Sequence, residues 1–376
     1  MDIRMSAPWI DASDVRAVVE VLRSGQLALG PRAEEFERRF AAYVGTRHAV
    51  AVNSGAAGLH LAVLAAGVRR GDDVVTTPFS FIASTNCFVS EGARPVFVDV
   101  EPETLMPAAR AIDAAVTRRT RAILAVDLFG NPFDADAVAP VARRRGLALI
   151  EDACEAPGAE YNGRRAGSLA DAAVFGFYPN KQMTTGEGGM IVTGRKDWDA
   201  LFRSLRNQGR DVHDAWITHS RVGYNYRLDE LSAALGLSQL RRLDRLLEAR
   251  ARVADAYGRR LAGVPGVRTP RPAATTTRMS WWVYVIQLDR ELDRDRVMRE
   301  LEARGIPSRA YFSPLHLQPA YRKRFGFRKG QFPVTEDAAR RSLALPFHGR
   351  MKGKEVECVC RALEQAIDRS RRRRIR

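Results

Sequence analysis

The stretch GFYPNKQMTTGEGG, residues 176–189, decides how this chain is read. A lone lysine, Lys181, stands between a short apolar run and a glycine-rich turn, and TTGEGGMIVT leads straight back into a second apolar run. Upstream, LALIEDACEA (147–156) ends an apolar run in acidic residues, among them Asp152. Parallel sheets gather their functional side chains at the carboxyl ends of the strands, so these two residues are expected at one site. A lysine amine forms an imine with an aldehyde, and a carboxylate holds a pyridine nitrogen protonated so that the ring draws electrons. The pair therefore points to pyridoxal 5'-phosphate (PLP). Each residue also has a plainer reading. Lys181 could be a loop lysine on a basic surface, and Asp152 a helix N-cap following a strand. The two runs that frame Lys181 argue against the first, and Lys181 itself argues against the second.

Outward from this stretch, short apolar runs alternate with helical patterns from about residue 48. HAVAVNS, DDVVTTPFSF, RPVFVDV, RAILAVDLFG, LALIEDA, DAAVFGFY and GGMIVTG read as strands. Their near-continuous β-branched character suits a sheet covered on both faces by helices. The expected fold class is α/β: a large α/β/α domain with a mostly parallel sheet, then a smaller C-terminal α+β domain. In LDELSAALGLSQLRRLDRLLEARARVADAYGRRLAG a helical period runs on to Gly263. WWVYVIQL then reads as a strand, DRDRVMRELEARG as a helix, SRAYF as a strand and KEVECVCRALEQAIDRS as a last helix. The domains are placed at 1–248 and 249–376, with the boundary inside the long helical stretch.

Composition narrows the function classes. The chain has 376 residues, 45% of them hydrophobic, which excludes a disordered chain. Charged residues or glycine interrupt every apolar run before about 20 residues, too soon for a bilayer span. The start, MDIRMSAPWIDASD, lacks the apolar core of a secretion signal, and a cytoplasmic protein is expected. Cys87, Cys154, Cys358 and Cys360 show neither CxxC spacing nor histidine partners, so reduced thiols and no metal are expected. The formal charge is +16, and six arginines lie in RSRRRRIR (369–376), without which +10 remains. That remainder is scattered through amphipathic segments with no interleaved aromatics, which argues against nucleic acid as partner and for attraction of an anionic substrate. The arginine-rich end itself reads as a solvated tail.

Two further segments belong with the lysine and the aspartate. Asn53-Ser54-Gly55-Ala56-Ala57-Gly58 joins a strand to a helix, where glycines allow a tight turn and exposed amides bind phosphate. Alone it is also an ordinary strand-to-helix turn. Phe81, in TTPFSFIAS, follows a strand end. It could stack on a cofactor ring, but spacing alone favours a core phenylalanine.

Taken together, the chain resembles the DegT/DnrJ/StrS family of PLP-dependent sugar aminotransferases. The likeness spans nearly the whole sequence, through NSGAAGLHLA, TTPFSFIASTN, PVFVDVEPETL, DLFGNP, residues 150–193, LRNQGR, YNYRLDELSAALGLSQL, SWWVYVI, PLHLQPAY and SLALPF. It implies the aspartate aminotransferase fold and a homodimer with shared active sites. By resemblance Lys181 forms the Schiff base, Asp152 binds the pyridine nitrogen and Phe81 stacks on the ring. Glu155 lies near the ring hydroxyl, Gly55 and Ala56 offer amides to the phosphate, and Asn225 reaches it from the other subunit. Tyr311 and His316 are candidate substrate contacts. The family commonly has Thr at position 56 and often Ser at 176. Ala56 and Gly176 remove two hydroxyl donors, so either cofactor affinity is lower or Ser54 and Thr184 compensate. The reaction implied is transfer of an amino group from L-glutamate to a keto-sugar, a nucleotide-linked 4-keto or 3-keto 6-deoxyhexose. A keto-cyclitol of aminocyclitol biosynthesis is the alternative. The related sugar dehydratases carry histidine where Lys181 stands. A non-catalytic regulator with a nucleic-acid-binding tail is the remaining class, and the presence of both Asp152 and Lys181 argues against it.

Overall fold

A computed structural model describes residues 3–211 and 218–372, with the side chain of Arg372 left aside. Its centre is a seven-stranded sheet in the order β1-β9-β8-β5-β4-β2-β3. The strands are β1 (His48–Val52), β2 (Asp73–Thr76), β3 (Arg94–Phe97), β4 (Thr120–Val126), β5 (Ala148–Asp152), β8 (Ala172–Gly176) and β9 (Gly189–Thr193). Only β9 runs antiparallel to its neighbours. Helices fill the crossovers, and β8 and β9 are buried along their whole length, as two covered sheet faces require. One face packs on the helices Gly55–Ala65, Ala83–Val89 and Lys196–Arg206 through Leu59, Leu61, Phe88 and Phe202. On the other, Phe36 and Phe40 of the helix Pro31–Val44 meet Phe175 and Phe177. This is the doubly covered, mostly parallel α/β architecture expected of an aspartate aminotransferase-like fold.

A second sheet, β10 (Val267–Arg268), β12 (Tyr284–Leu288) and β13 (Ser342–Leu345), is antiparallel. It packs with the helices Leu243–Leu261, Arg294–Glu302 and Gly353–Arg372 around Tyr257, Tyr284, Ile286 and Leu363. A small ribbon, β11-β6-β7 (Thr276–Arg278, Glu160–Tyr161 and Arg164–Arg165), links the two regions. The helix Leu243–Leu261 straddles both cores: Leu243 and Leu247 belong to the first, Val253 and Tyr257 to the second. The boundary expected at residue 248 falls within this helix. Ile3, at the opposite end of the chain, is buried in the second core rather than the first.

Three details depart from the sequence reading. The long helical stretch is two helices, Glu230–Leu240 and Leu243–Leu261, because Arg242 leaves helical geometry (φ −121°, ψ 15°). Its guanidinium is held by Asp11 at 2.9 Å, by Asp14 and by the Trp9 carbonyl at 2.7 Å. SRAYF is no strand and forms only a bridge between Arg309 and Ala344. The first arginines of the tail continue the last helix to Arg372, with Ser370 buried and Arg369 reaching Glu300 at 3.4 Å. Residues 373–376 lie outside the described region. Among the described residues no helix is long and apolar enough to cross a membrane, and no group of three or more acidic, histidine or cysteine side chains is placed to hold a metal ion.

Candidate active site

Because β1, β2, β4, β5 and β8 are parallel, their carboxyl ends open on one edge of the sheet, and the candidate residues follow them. Lys181 sits at the tip of the β8–β9 hairpin. Phe177 donates its N–H to Gly188 at 2.9 Å and Lys181 donates to Tyr178 at 2.9 Å, closing the loop tightly. The Lys181 ammonium lies 3.8 Å from the centroid of Trp282, a cation–π contact. Among the described residues no carboxylate forms a salt bridge with it.

Asp152 ends β5 and caps no helix. One oxygen accepts the Cys154 N–H at 3.2 Å, the other the Ser84 hydroxyl at 2.6 Å. It is 5% exposed, and among the described residues no cation forms a salt bridge with it. Lys181 and Asp152 act on the same neighbours. Burial pushes the Glu155 carboxyl up to about 7, with Lys181 opposing and Asp152 adding to the rise. Burial likewise pushes the Cys154 thiol well up, Asp152 reinforcing it and Lys181 working against it. Glu155 accepts the Phe129 N–H at 2.7 Å, and behind it Glu151 is also raised by burial, to about 7.

The turn after β1 leads directly into a capped helix start. Ser54 caps the helix Gly55–Ala65, accepting the Ala57 N–H at 3.1 Å, which leaves its hydroxyl hydrogen free to donate. Gly55 is required by crowding: a Cβ there would lie 2.8 Å from the Cys154 sulfur. A Cβ on Gly189 would lie 2.7 Å from the Gly55 nitrogen. Ala56 is exposed on the first turn. At Gly176 a Cβ would meet only Cys154, at 3.5 Å, so the missing serine reflects no lack of room. Thr184 does not replace it. Its hydroxyl donates to the Phe177 carbonyl at 2.9 Å and accepts the Gly186 N–H at 2.9 Å, so it is spent on the loop.

Phe81 is 59% exposed, so the reading from spacing alone, a core phenylalanine, is wrong. Asn225 is exposed; its carbonyl accepts the Asn53 side chain at 3.4 Å, and Tyr226 accepts the Asn53 N–H at 2.9 Å, which sets YNYR beside this turn. Tyr311 stacks on Trp282 with centroids 5.5 Å apart and planes at 13°. Burial raises its phenol, and Glu155 adds to the rise. His316 is a correction. It is fully buried, with Nε2 3.0 Å from Glu336 and its ring 4.7 Å from that of Phe332, and cannot meet a substrate. Burial holds its imidazole below the usual histidine range.

Sequence reasoning missed four residues here. Ser84 holds Asp152, and Trp282 underlies Lys181. Gln182 donates to the Glu155 carbonyl at 2.6 Å and to the Ser280 hydroxyl at 2.7 Å. Arg250, 4% exposed, donates to the carbonyls of Lys181 at 2.9 Å, Trp282 at 3.1 Å, Trp281 at 3.3 Å and Asn180 at 3.4 Å. Burial without a carboxylate partner pulls its guanidinium down to about 10. An arginine inside an apolar helical face was the available signal.

An amine at a hairpin tip, a buried carboxylate that forms no salt bridge with a described cation and a helix start with exposed amides thus lie on the carboxyl-end edge of this sheet. Residues 8–364 match the DegT/DnrJ/EryC1/StrS aminotransferase family, and the chain belongs to it. It is similar to GDP-perosamine synthase of Caulobacter vibrioides, 40% identical over 97% of this chain and 98% of that protein. Among solved structures it is similar to DesV of S. venezuelae, 36% identical with a TM-score of 0.89 over 96% of this chain and 98% of that one. The aminotransferase TlmJ of Streptoalloteichus hindustanus superposes with a TM-score of 0.92 at 32% identity, over 98% of this chain and 100% of that one. The protein is thus an enzyme, an aminotransferase of a PLP-dependent family.

Proposed function

We propose that this enzyme moves an amino group from L-glutamate to a nucleotide-linked 4-keto or 3-keto 6-deoxyhexose. The carrying observation is that the Lys181 amine forms no salt bridge with a described carboxylate, the buried Asp152 forms none with a described cation, and both act on Glu155 and Cys154. The described residues fit PLP. Asp152 would hold the pyridine nitrogen, Phe81 would cover the ring and Glu155 would face the ring hydroxyl. Ser54 and the amides of Gly55 and Ala56 would hold the phosphate, with Asn225 supplied by a second copy of the chain in a homodimer. When bound, PLP supplies an aldehyde for covalent attachment and a ring that accepts electrons.

The protein's part is positioning, charge and proton transfer. Lys181 would hold the cofactor covalently and, when free, its amine would serve as the base that takes and returns the proton at the donor's Cα. Asp152 would pair with the ring nitrogen and favour its protonated form, the charge that stabilises a carbanion at Cα. Trp282 gives the ammonium an apolar, electron-rich floor, and Tyr311, stacked upon it, borders the space for the acceptor. The excess positive charge favours a diphosphate-bearing substrate. The similarity to GDP-perosamine synthase and DesV supports a sugar acceptor.

Lys181→Ala tests the reading. The variant should fold, fail to gain the visible absorbance of lysine-bound cofactor and lose turnover; a fully active variant would refute the assignment. A panel of keto-sugars and keto-inositols offered with glutamate, with product mass and NMR as readout, tests the acceptor. Amination of keto-inositols alone would replace the sugar reading with a cyclitol one.

A further inference from the structure

Asp152 is backed by a polarised chain of hydroxyls. Ser84 Oγ lies 2.6 Å from Asp152 Oδ2 and 2.7 Å from Ser80 Oγ. A carboxylate only accepts, so Ser84 gives its single hydrogen to Asp152 and can only accept from Ser80. The direction is therefore fixed as Ser80 to Ser84 to Asp152. All three side chains are buried, at 3%, 1% and 5% exposure. In such surroundings a hydroxyl bonded to a charged acceptor is strong, and a second hydroxyl behind it strengthens it further. The same turn places Phe81 between the two serines, exposed. The Leu315 N–H grips the Pro78 carbonyl at 2.8 Å, and the Tyr321 hydroxyl lies 2.7 Å from Thr85 Oγ1 and 2.7 Å from Asn86 Oδ1, bracing both ends.

We propose that Ser84, seconded by Ser80, is a positioning residue that keeps Asp152 ionised and aimed at the pyridine nitrogen of PLP. This rests on the reading of Asp152 given above. Asp152 and the ring nitrogen share one proton, and each donor supplied to the carboxylate favours leaving that proton on nitrogen. Without the Ser84 hydroxyl that donor is lost and the shared proton moves toward the carboxylate. The ring then carries less positive charge and is held less tightly.

The test compares the wild-type enzyme with Ser84→Ala, Ser84→Thr, Ser80→Ala and Asp152→Asn. PLP affinity is measured by titrating cofactor-free protein, and the ring nitrogen is read by nitrogen NMR with isotopically labelled PLP. Ser84→Ala should weaken PLP about 10-fold or more and shift the ring nitrogen toward the unprotonated position. Ser84→Thr should restore both, and Ser80→Ala should move both the same way by less. A folded Ser84→Ala protein with wild-type affinity and nitrogen position overturns the proposal. Should Ser84→Ala not fold, Ser84→Cys, of similar shape and weaker donor strength, takes its place with the same expected directions. Asp152→Asn separates the two levels. If it perturbs both readouts while Ser84→Ala perturbs neither, only the role of Ser84 falls; if it perturbs neither, the reading of Asp152 falls as well.

Discussion

Replacing Glu155 by Gln should stabilise the cofactor-free protein, and by an amount that grows with pH. Burial holds the Glu155 carboxyl at about 7, against an ordinary 4.5. Between those values the folded protein keeps a proton that the unfolded chain releases, so the contribution of Glu155 to stability falls as pH rises and levels off above about 7. A displacement of about 2.5 pH units at about 1.4 kcal/mol each sets a full cost of about 3 kcal/mol. Linkage puts about 0.8 kcal/mol of it in place at pH 5 and nearly all by pH 8. Gln cannot ionise, yet its carbonyl can still accept the Phe129 N–H that Glu155 accepts at 2.7 Å. The raised Glu151 is present in both proteins and cancels from the comparison. Urea unfolding of the two cofactor-free proteins, at one protein concentration and at pH 5 and pH 8, should show the gap in favour of Gln widening by about 2–2.5 kcal/mol. A gap that stays flat across that interval refutes the argument that Glu155 is buried as a neutral acid.

Other outcomes follow from the same geometry. Arg250→Met should destabilise the protein by about 2–4 kcal/mol in urea unfolding, since four carbonyls lose a buried donor while the guanidinium's own desolvation is relieved; a loss under about 0.5 kcal/mol would show those contacts to be idle. Gly176→Ser should fold as wild type and, in cofactor titration, bind PLP about 10-fold more tightly, because its Cβ finds ordinary contact and its hydroxyl joins the proposed phosphate donors. Gly55→Ala should cost about 1–3 kcal/mol through overlap with the Cys154 sulfur, and Cys154→Ala in the same protein should recover part of that loss in a double-mutant comparison.

The sheet was readable in the sequence because both its faces are covered. Runs such as AAVFG and GMIVT have no polar side to confuse with a loop, and they bracket the lysine hairpin directly. Lys181 and Asp152 were readable for a related reason, as charged residues at the ends of apolar strands. Ser84 was not, because its partner lies 68 residues away and a serine in a short helix carries no mark of what it touches. Arg250 and Trp282 acquire meaning only when the second sheet is laid against the hairpin. The break at Arg242 was hidden because the helical period continues across it, and only Asp11 and Asp14, far back in the chain, pull the arginine out of line. His316 was misassigned because motif position says nothing about burial; its neighbours Phe332 and Glu336 close over it.

Arg250 has a mechanical consequence. It projects from the middle of a helix rooted in both cores, clasping the backbone of the lysine loop with one hand and the Trp281–Trp282 segment with the other. The reactive nitrogen therefore does not ride on the large body alone. One side chain thus ties the backbone that carries Lys181 to the segment that carries Trp282, so a displacement of either is felt by the other.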